Sequence, residues 1–240
     1  MSPYLAEFIG MAGLIYLGTS VNANLCLRQT KAGGGAERSA AHWLLISLGW
    51  GVAVLIPVLL FADVSGAHFN PAITLGLAAI GGFAWSSVPL YLLAQMGGAV
   101  LGASLTYLHY KAQFDRTKDN DIRRGIFCTA PEIYHTRQNL TSELLATFVL
   151  VFAIVGFRQT ALGAQLNMLG VGGLIFIIGA ALGGTTGYAI NPARDFGPRL
   201  AFAILFRRQK ADADWRYSPI PILGPFLGGI AGAWLANLIF

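Results

Sequence analysis

The sequence predicts an all-α membrane protein, with six transmembrane helices and two re-entrant half-helices in an inverted 3+3 repeat. Three observations predict it. First, the 240 residues are 55% hydrophobic and only 11% charged, with a mean hydropathy of +0.60; a soluble domain carries about 25% charged residues. Second, no Asp, Glu, Lys or Arg lies between Asp63 and Lys111, or between Arg158 and Arg194. Uncharged runs of about 18 residues or more can span a bilayer. Third, a short phrase occurs twice inside these runs, as His68-Phe69-Asn70-Pro71-Ala72 and as Ala189-Ile190-Asn191-Pro192-Ala193-Arg194. Asparagine is a good N-cap and proline suits the first helical position, so each phrase opens a helix. Helix starts buried in apolar sequence fit broken helices that line a cavity inside a membrane.

The elements follow in order. Residues 4–27 form the first span; Met1-Ser2-Pro3 offers no basic leader, so the segment reads as a span rather than a signal peptide. A basic, Gly-rich connector covers 28–40, and the second span covers 41–62. The apolar piece near 70–80 follows the first motif. At 1.5 Å per residue it crosses about half of a ~30 Å hydrocarbon core. The third span, near 84–108, contains Gly97-Gly98-Ala99-Val100-Leu101-Gly102-Ala103, and residues 109–139 read as a charged loop. The fourth span, 140–157, opens on Ser142-Glu143-Leu144 as the first opens on Ala6-Glu7-Phe8. A fifth span covers 163–183, a second short piece follows near 192–204, and Arg207-Arg208-Gln209-Lys210 begins the last loop. The sixth span, 218–240, holds Gly228-Gly229-Ile230-Ala231-Gly232-Ala233, and small residues allow close helix approach. The order repeats. We read one domain, 1–240, made of repeats at about 1–110 and 140–240 joined by 111–139. Three spans per half force opposite orientations, which gives an in-plane pseudo-two-fold axis.

Composition excludes several classes. The net charge is +5, but basic residues are dispersed and interleaved with acids, as in Asp115-Arg116-Thr117-Lys118-Asp119, so no nucleic-acid partner is expected. No nucleophile with a paired base, no metal-ligand cluster and no nucleotide motif is found, so neither catalytic residues nor a metal or cofactor is expected. Cys26 and Cys128 leave one disulfide open, although two such isolated cysteines suggest none. Lys and Arg fall mainly after spans one, three and five, which places both termini outside if the positive-inside rule is read literally.

The chain resembles the major intrinsic protein family, the aquaporins and glycerol facilitators. The resemblance covers both motifs, both span-leading glutamates and both Gly-rich spans. Ser65-Gly66-Ala67-His68-Phe69-Asn70-Pro71-Ala72 is similar to the family's first re-entrant loop, and Gly187 to Arg199 to its second. Asp195 directly after Arg194 resembles the glycerol-conducting branch. The resemblance implies a passive channel for glycerol and similar small uncharged solutes, with some water flow. It implies a homotetramer with one pore per subunit, surrounded by membrane lipid. It also implies cytoplasmic termini, against the charge count. A bacterial inner membrane is expected from the short chain.

Physical chemistry assigns roles within that frame. Two helix N-termini, each with about half a positive charge, would repel cations and protons at the midplane. Asn70 and Asn191 would cap their helices through oxygen and leave amide N–H groups for a passing solute. Pro71, Ala72, Pro192 and Ala193 complete the pore motifs. The carbonyls of Gly66, Ala67, His68, Phe69, Gly187, Ala189 and Ile190 would accept from a line of solutes. Glu7 and Glu143 would each hold their own half's loop; the competing reading makes them proton carriers. His68 is expected to pack and hydrogen-bond rather than gate. By resemblance, Trp50, Gly179, Tyr188 and Arg194 form a selectivity constriction. Trp50 stands 20 residues before Asn70 and Gly179 stands 12 before Asn191. Trp50 and Tyr188 would form an apolar corner, Gly179 would leave room, and Arg194 would donate to hydroxyls. Trp50 as a lipid-interface anchor remains the bland reading. Tyr188 replaces the phenylalanine usual in glycerol facilitators. Asp195 would be structural, pairing with Arg199 at i+4. The alternatives are a channel of the same fold for undissociated lactic acid, dihydroxyacetone or urea, and a proton-coupled secondary transporter.

Overall fold

Local capping sets where the helices begin and end. The computed structural model describes residues 1–32 and 39–240. Residues 33–38 of the basic connector read at 28–40 lie outside the described residues. Helix α1 spans Pro3–Cys26, with Ser2 Oγ accepting from the Leu5 N–H and Pro3 at the first position. Helix α2 spans Ala40–Ser65, starts where Ser39 Oγ accepts from the His42 N–H, and stops at Gly66 with φ 78°. A left-handed glycine ends the helix at little cost, which carries α2 beyond the expected end at 62. Helix α3 is short, Pro71–Ala79. A 3₁₀ turn at Trp85–Ser87 leads into α4, Val88–His109. Then come α5 (Lys111–Arg116), α6 (Asn120–Phe127), α7 (Thr136–Gln159), α8 (Ala161–Leu182), α9 (Pro192–Leu205) and α10 (Ile220–Ile239). No strand occurs among the described residues.

Helices α1, α2, α4, α7 and α10 are long and apolar enough to cross a membrane. Helix α8, expected as the fifth span, has 22 residues and is continuously apolar over Met168–Leu182. Helices α3 and α9, with 9 and 14 residues, are half-length. Leu60, Leu93 and Leu238 are 66%, 68% and 63% exposed, so the outer surface is greasy where lipid would surround it.

Packing repeats between halves. Helix α1 packs on α2 and α4, as α7 packs on α8 and α10, and α2 meets α8 across the middle. Helix α3 lies against α10 and α9 against α4, so the last span of the other half holds each half-helix. Close crossings depend on missing side chains. A Cβ at Gly98 or Gly102 would strike the carbonyl of Phe8 or Ala12 on α1. A Cβ at Gly228 or Gly232 would strike that of Leu144 or Phe148 on α7. In lipid, such small-residue contact replaces the hydrophobic drive.

The segment expected as a charged loop at 109–139 differs. It contains α5 and α6 folded over an aromatic cluster of Phe114, Phe127, Phe202 and Phe206. Asp119 Oδ1 accepts from the Asp121 and Ile122 N–H groups and starts α6. Arg123 is buried and donates to the Phe114 carbonyl at 2.8 and 3.3 Å. The charges mask a short amphipathic helix, whose apolar positions are too few to stand out against the flanking spans. Cys26 and Cys128 remain thiols.

Candidate functional site

Two re-entrant turns follow α2 and α8, and they are conformational copies. Gly66 and Gly187 have φ of 78° and 81°, Ala67 and Tyr188 of 47° and 41°, and Phe69 and Ile190 of 45° and 46°. Each pair is 121 positions apart, as are Asn70 and Asn191. A non-glycine residue in the left-handed region costs about 1–2 kcal/mol, so the turns need outside restraint. Two fully buried glutamates supply it. Glu7 Oε1 accepts from the His68 N–H at 2.9 Å and the Ser65 hydroxyl at 2.8 Å. Its Oε2 accepts from the Phe69 N–H at 2.7 Å and the Gln95 amide at 2.8 Å. Glu143 Oε1 accepts from the Ala189 N–H at 2.9 Å and the Thr186 hydroxyl at 2.6 Å, and Oε2 from the Ile190 N–H at 2.8 Å. Ser65, Gln95 and Thr186 carry no sequence signal, because their role exists only once the helices pack.

The asparagines cap α3 and α9. Asn70 Oδ1 accepts from the Ala72 N–H at 2.9 Å; Asn191 Oδ1 accepts from those of Ala193 and Arg194 at 3.0 and 3.1 Å. Pro71 and Pro192 take the first helical positions. The amides also bridge the halves: Asn70 Nδ2 donates to the Ile190 carbonyl at 2.9 Å, and Asn191 Nδ2 to the Phe69 carbonyl at 2.8 Å. One N–H of each amide is therefore spent on the opposite loop and one is left over. The Phe69 and Ile190 carbonyls, expected to face solute alone, each give a lone pair to this bridge. The bridge holds the two half-helix tips together.

A cavity of about 270 Å³ runs along these turns. Helix α2 contributes Trp50, Val54, Val58, Ala62 and Asp63, about one residue per turn. The thirteen steps from Trp50 to Asp63, at 1.5 Å rise each, make this stripe about 20 Å long. Leu14, Leu150, Ile154, Val171 and Ile175 add aliphatic surface. The polar lining comes from Gly66 to Asn70 and from Tyr188 to Asn191, with Arg194 near one end and Arg158 near the other. Gly187 does not border the cavity. His68 borders it and is also fixed: Nδ1 lies 3.1 Å from Thr74 Oγ1, with the rings of Phe83 and Tyr91 at 4.9 and 5.2 Å.

At one end, the structure gathers Trp50, Gly179, Tyr188 and Arg194. The Arg194 guanidinium lies 4.0 Å over the Trp50 ring. A Cβ on Gly179 would stand 2.7 Å from Tyr188 Cζ, 2.9 Å from its hydroxyl and 3.0 Å from Ser47 Oγ. Tyr188 thus lies across the bare face of α8, braced edge-on by Trp43 at 5.9 Å. Gly179 itself lies behind Tyr188, off the cavity surface. Trp43 Nε1 donates to the Gly179 carbonyl at 3.0 Å. Arg194 Nη1, the Tyr188 hydroxyl and Ser47 Oγ are buried without a protein partner. Trp43 and Ser47 were not legible, because only the fold brings α2 across α8.

Counted from the two asparagines, the positions matching Trp50, Gly179, Tyr188 and Arg194 in the other half are Val171, Val58, Ala67 and Ile73. All four line the same cavity. One backbone frame therefore carries two aromatic rings, a bare glycine and a guanidinium in one half, and only aliphatic side chains at the matching positions of the other.

Asp195, next to Arg194, is fully buried. Its Oδ1 accepts from Arg199 Nε at 2.9 Å, and its Oδ2 from the Thr129 N–H and hydroxyl at 2.7 and 2.6 Å. Arg199 also donates to the carbonyls of Thr129 and Ala213. This network ties α9 to the segment that follows α6.

Comparisons with known proteins agree with this architecture. The family model described as Major intrinsic protein matches residues 1–236. A "Probable glycerol uptake facilitator protein" of Thermotoga maritima is 49% identical over 240 residues, covering 100% of both chains. "Glycerol uptake facilitator protein 3" of Lactiplantibacillus plantarum is 46% identical, covering 98% of this chain and 95% of the relative. Among solved structures, the aquaglyceroporin from Plasmodium falciparum superposes with a TM-score of 0.84 at 27% identity, covering 98% of this chain and 95% of that one.

Proposed function

The chain belongs to the major intrinsic protein family, and on that premise we propose that it is a passive transmembrane channel for glycerol and other small uncharged solutes, with some water permeability. It is not an enzyme. The observation that carries the reading is the lined cavity, which passes from Arg194 and Trp50, beside both bridged asparagines, to Asp63 and Arg158. A lining that is aliphatic in one part and hydrogen-bonding in another suits a linear polyol, which has a carbon edge and a hydroxyl edge. The names of the relatives and the identity of the structural neighbour support glycerol.

In this reading, Trp50 and Tyr188 form an apolar corner for the carbon backbone, and the partnerless Arg194 Nη1 donates to hydroxyls. Gly179 gives Tyr188 its space. The carbonyls of Gly66, Ala67, His68 and Ala189 accept hydroxyl protons in succession. The remaining N–H of each asparagine holds a solute oxygen at the midplane. The two helix N-termini there oppose cations and protons. Glu7 and Glu143 act as supports, since both oxygens of each accept from backbone N–H groups of their own half's re-entrant loop. The protein would be a single domain of two inverted repeats. It would assemble as a homotetramer in a bacterial inner membrane, with both termini cytoplasmic.

Stopped-flow shrinkage of proteoliposomes tests the solute. Glycerol is expected to cross about tenfold or more faster than through bare lipid. If lactic acid, dihydroxyacetone or urea is accelerated while glycerol is not, the substrate assignment fails. Protease added to oriented vesicles tests topology: cleavage within 111–139 from the cytoplasmic side alone would reverse the orientation.

A further inference from the structure

We infer that Asn22 is a positioning residue for the constriction and sets solute selectivity by orienting the Trp50 indole. The inference rests on the channel reading above and adds a residue to its specificity apparatus. Asn22 lies on α1, away from the cavity lining, and is 8% exposed. Its Oδ1 accepts from Trp50 Nε1 at 3.1 Å, in a buried bond. Its Nδ2 points to the carbonyls that close α6, Ile126 at 3.4 Å and Gly125 at 3.5 Å.

One turn earlier, Gly18 faces the same ring. A Cβ there would stand 2.5–2.7 Å from three carbons of the Trp50 six-membered ring. Helix α1 therefore offers a slot at position i and a hydrogen-bond acceptor at i+4, and the two fix both the plane and the rotation of the indole. The Arg194 guanidinium lies over that ring at 4.0 Å. An indole free to rotate would change the aperture and remove the surface on which the guanidinium rests. An amide suits this place: it accepts from the indole while donating to the α6 carbonyls, so neither group is buried unpaired. The same side chain links the connector between the halves to the filter, because Asn22 is bonded to α6 on one side and to Trp50 on the other.

The test compares Asn22→Ala, Trp50→Phe and the double variant in proteoliposomes, reading the ratio of glycerol to five-carbon polyol permeability. Losing one buried hydrogen bond should lower that ratio about three- to tenfold in Asn22→Ala. Trp50→Phe, which keeps an aromatic ring but no N–H, should lower it comparably. The double variant should be no worse than Trp50→Phe alone. A general structural defect would instead add to the Trp50→Phe effect, and that additivity would overturn the proposal. A wild-type ratio in either single variant would overturn it as well. Indole N–H resonances in nanodiscs give a readout independent of transport: among the five tryptophans, Asn22→Ala should shift the Trp50 signal alone. If wild-type protein passes no glycerol, the channel reading fails, while the indole shift still decides the role of Asn22.

Discussion

Gly179→Ala is the sharpest perturbation of the constriction. The added Cβ would stand 2.7 Å from Tyr188 Cζ, 2.9 Å from its hydroxyl and 3.0 Å from Ser47 Oγ, where ordinary contact begins at 3.4 Å. The ring must therefore move by about 0.7 Å, the gap between 2.7 and 3.4 Å. It cannot retreat along α8, because Trp43 packs edge-on against it and the ring already lies close over the bare backbone of Gly183. The open direction is toward Arg194 and the bore. Overpacking by one methyl costs about 1–3 kcal/mol. Expressed as a barrier to a solute that fills the aperture, that is about five- to 150-fold in rate. Water, being narrower, should lose far less. Stopped-flow measurements on the same vesicles would compare glycerol and water flux, with thermal stability measured in parallel. Glycerol permeability within twofold of wild type, in a variant of unchanged stability, would refute the claim that Tyr188 and Gly179 jointly set the aperture.

Other outcomes follow from the same geometry. Glu143→Gln replaces one acceptor with a donor facing a backbone N–H; with about 1–3 kcal/mol for each unsatisfied group, it should lower the unfolding midpoint in detergent, and solute flux should show no dependence on a proton gradient before or after the change. Asp195→Leu strands the buried Arg199 charge and should cost about 3–5 kcal/mol, read as loss of folded protein, while Asp195→Leu/Arg199→Met should recover part of it. Burial pushes the Cys128 thiol up to about 12, far above the usual ~8.5, so at pH 8 it should react with maleimide much more slowly than an exposed thiol, and fast labelling in the folded state would contradict its burial at the C-terminal end of α6.

Much of this was legible because it is local. Asn-Pro-Ala carries its own capping chemistry, so Asn70 and Asn191 announced helix starts without any fold. Glu7 and Glu143 were visible because a carboxylate inside an apolar span demands partners. The partners were not visible: Gln95 is 88 positions from Glu7, and nothing in its neighbours marks it. The bridge between each asparagine and the opposite loop was equally hidden, since it depends on two tips meeting within hydrogen-bond distance. Helix α6 was missed because its charges dominate its composition, while it packs against α1 and α9. The direction of Tyr188 needed the structure too, since its left-handed backbone aims the ring at Gly179 rather than along the turn.

The central claim is a single bore with two positive helix tips at its middle that admits neutral polyols and refuses protons. Proteoliposomes loaded with a pH-sensitive dye measure both properties at once, under a glycerol gradient and an imposed proton gradient. The account predicts rapid glycerol equilibration while internal pH drifts no faster than in protein-free vesicles. Proton entry that rises with protein density, or glycerol flux that collapses when the proton gradient is dissipated, would contradict it.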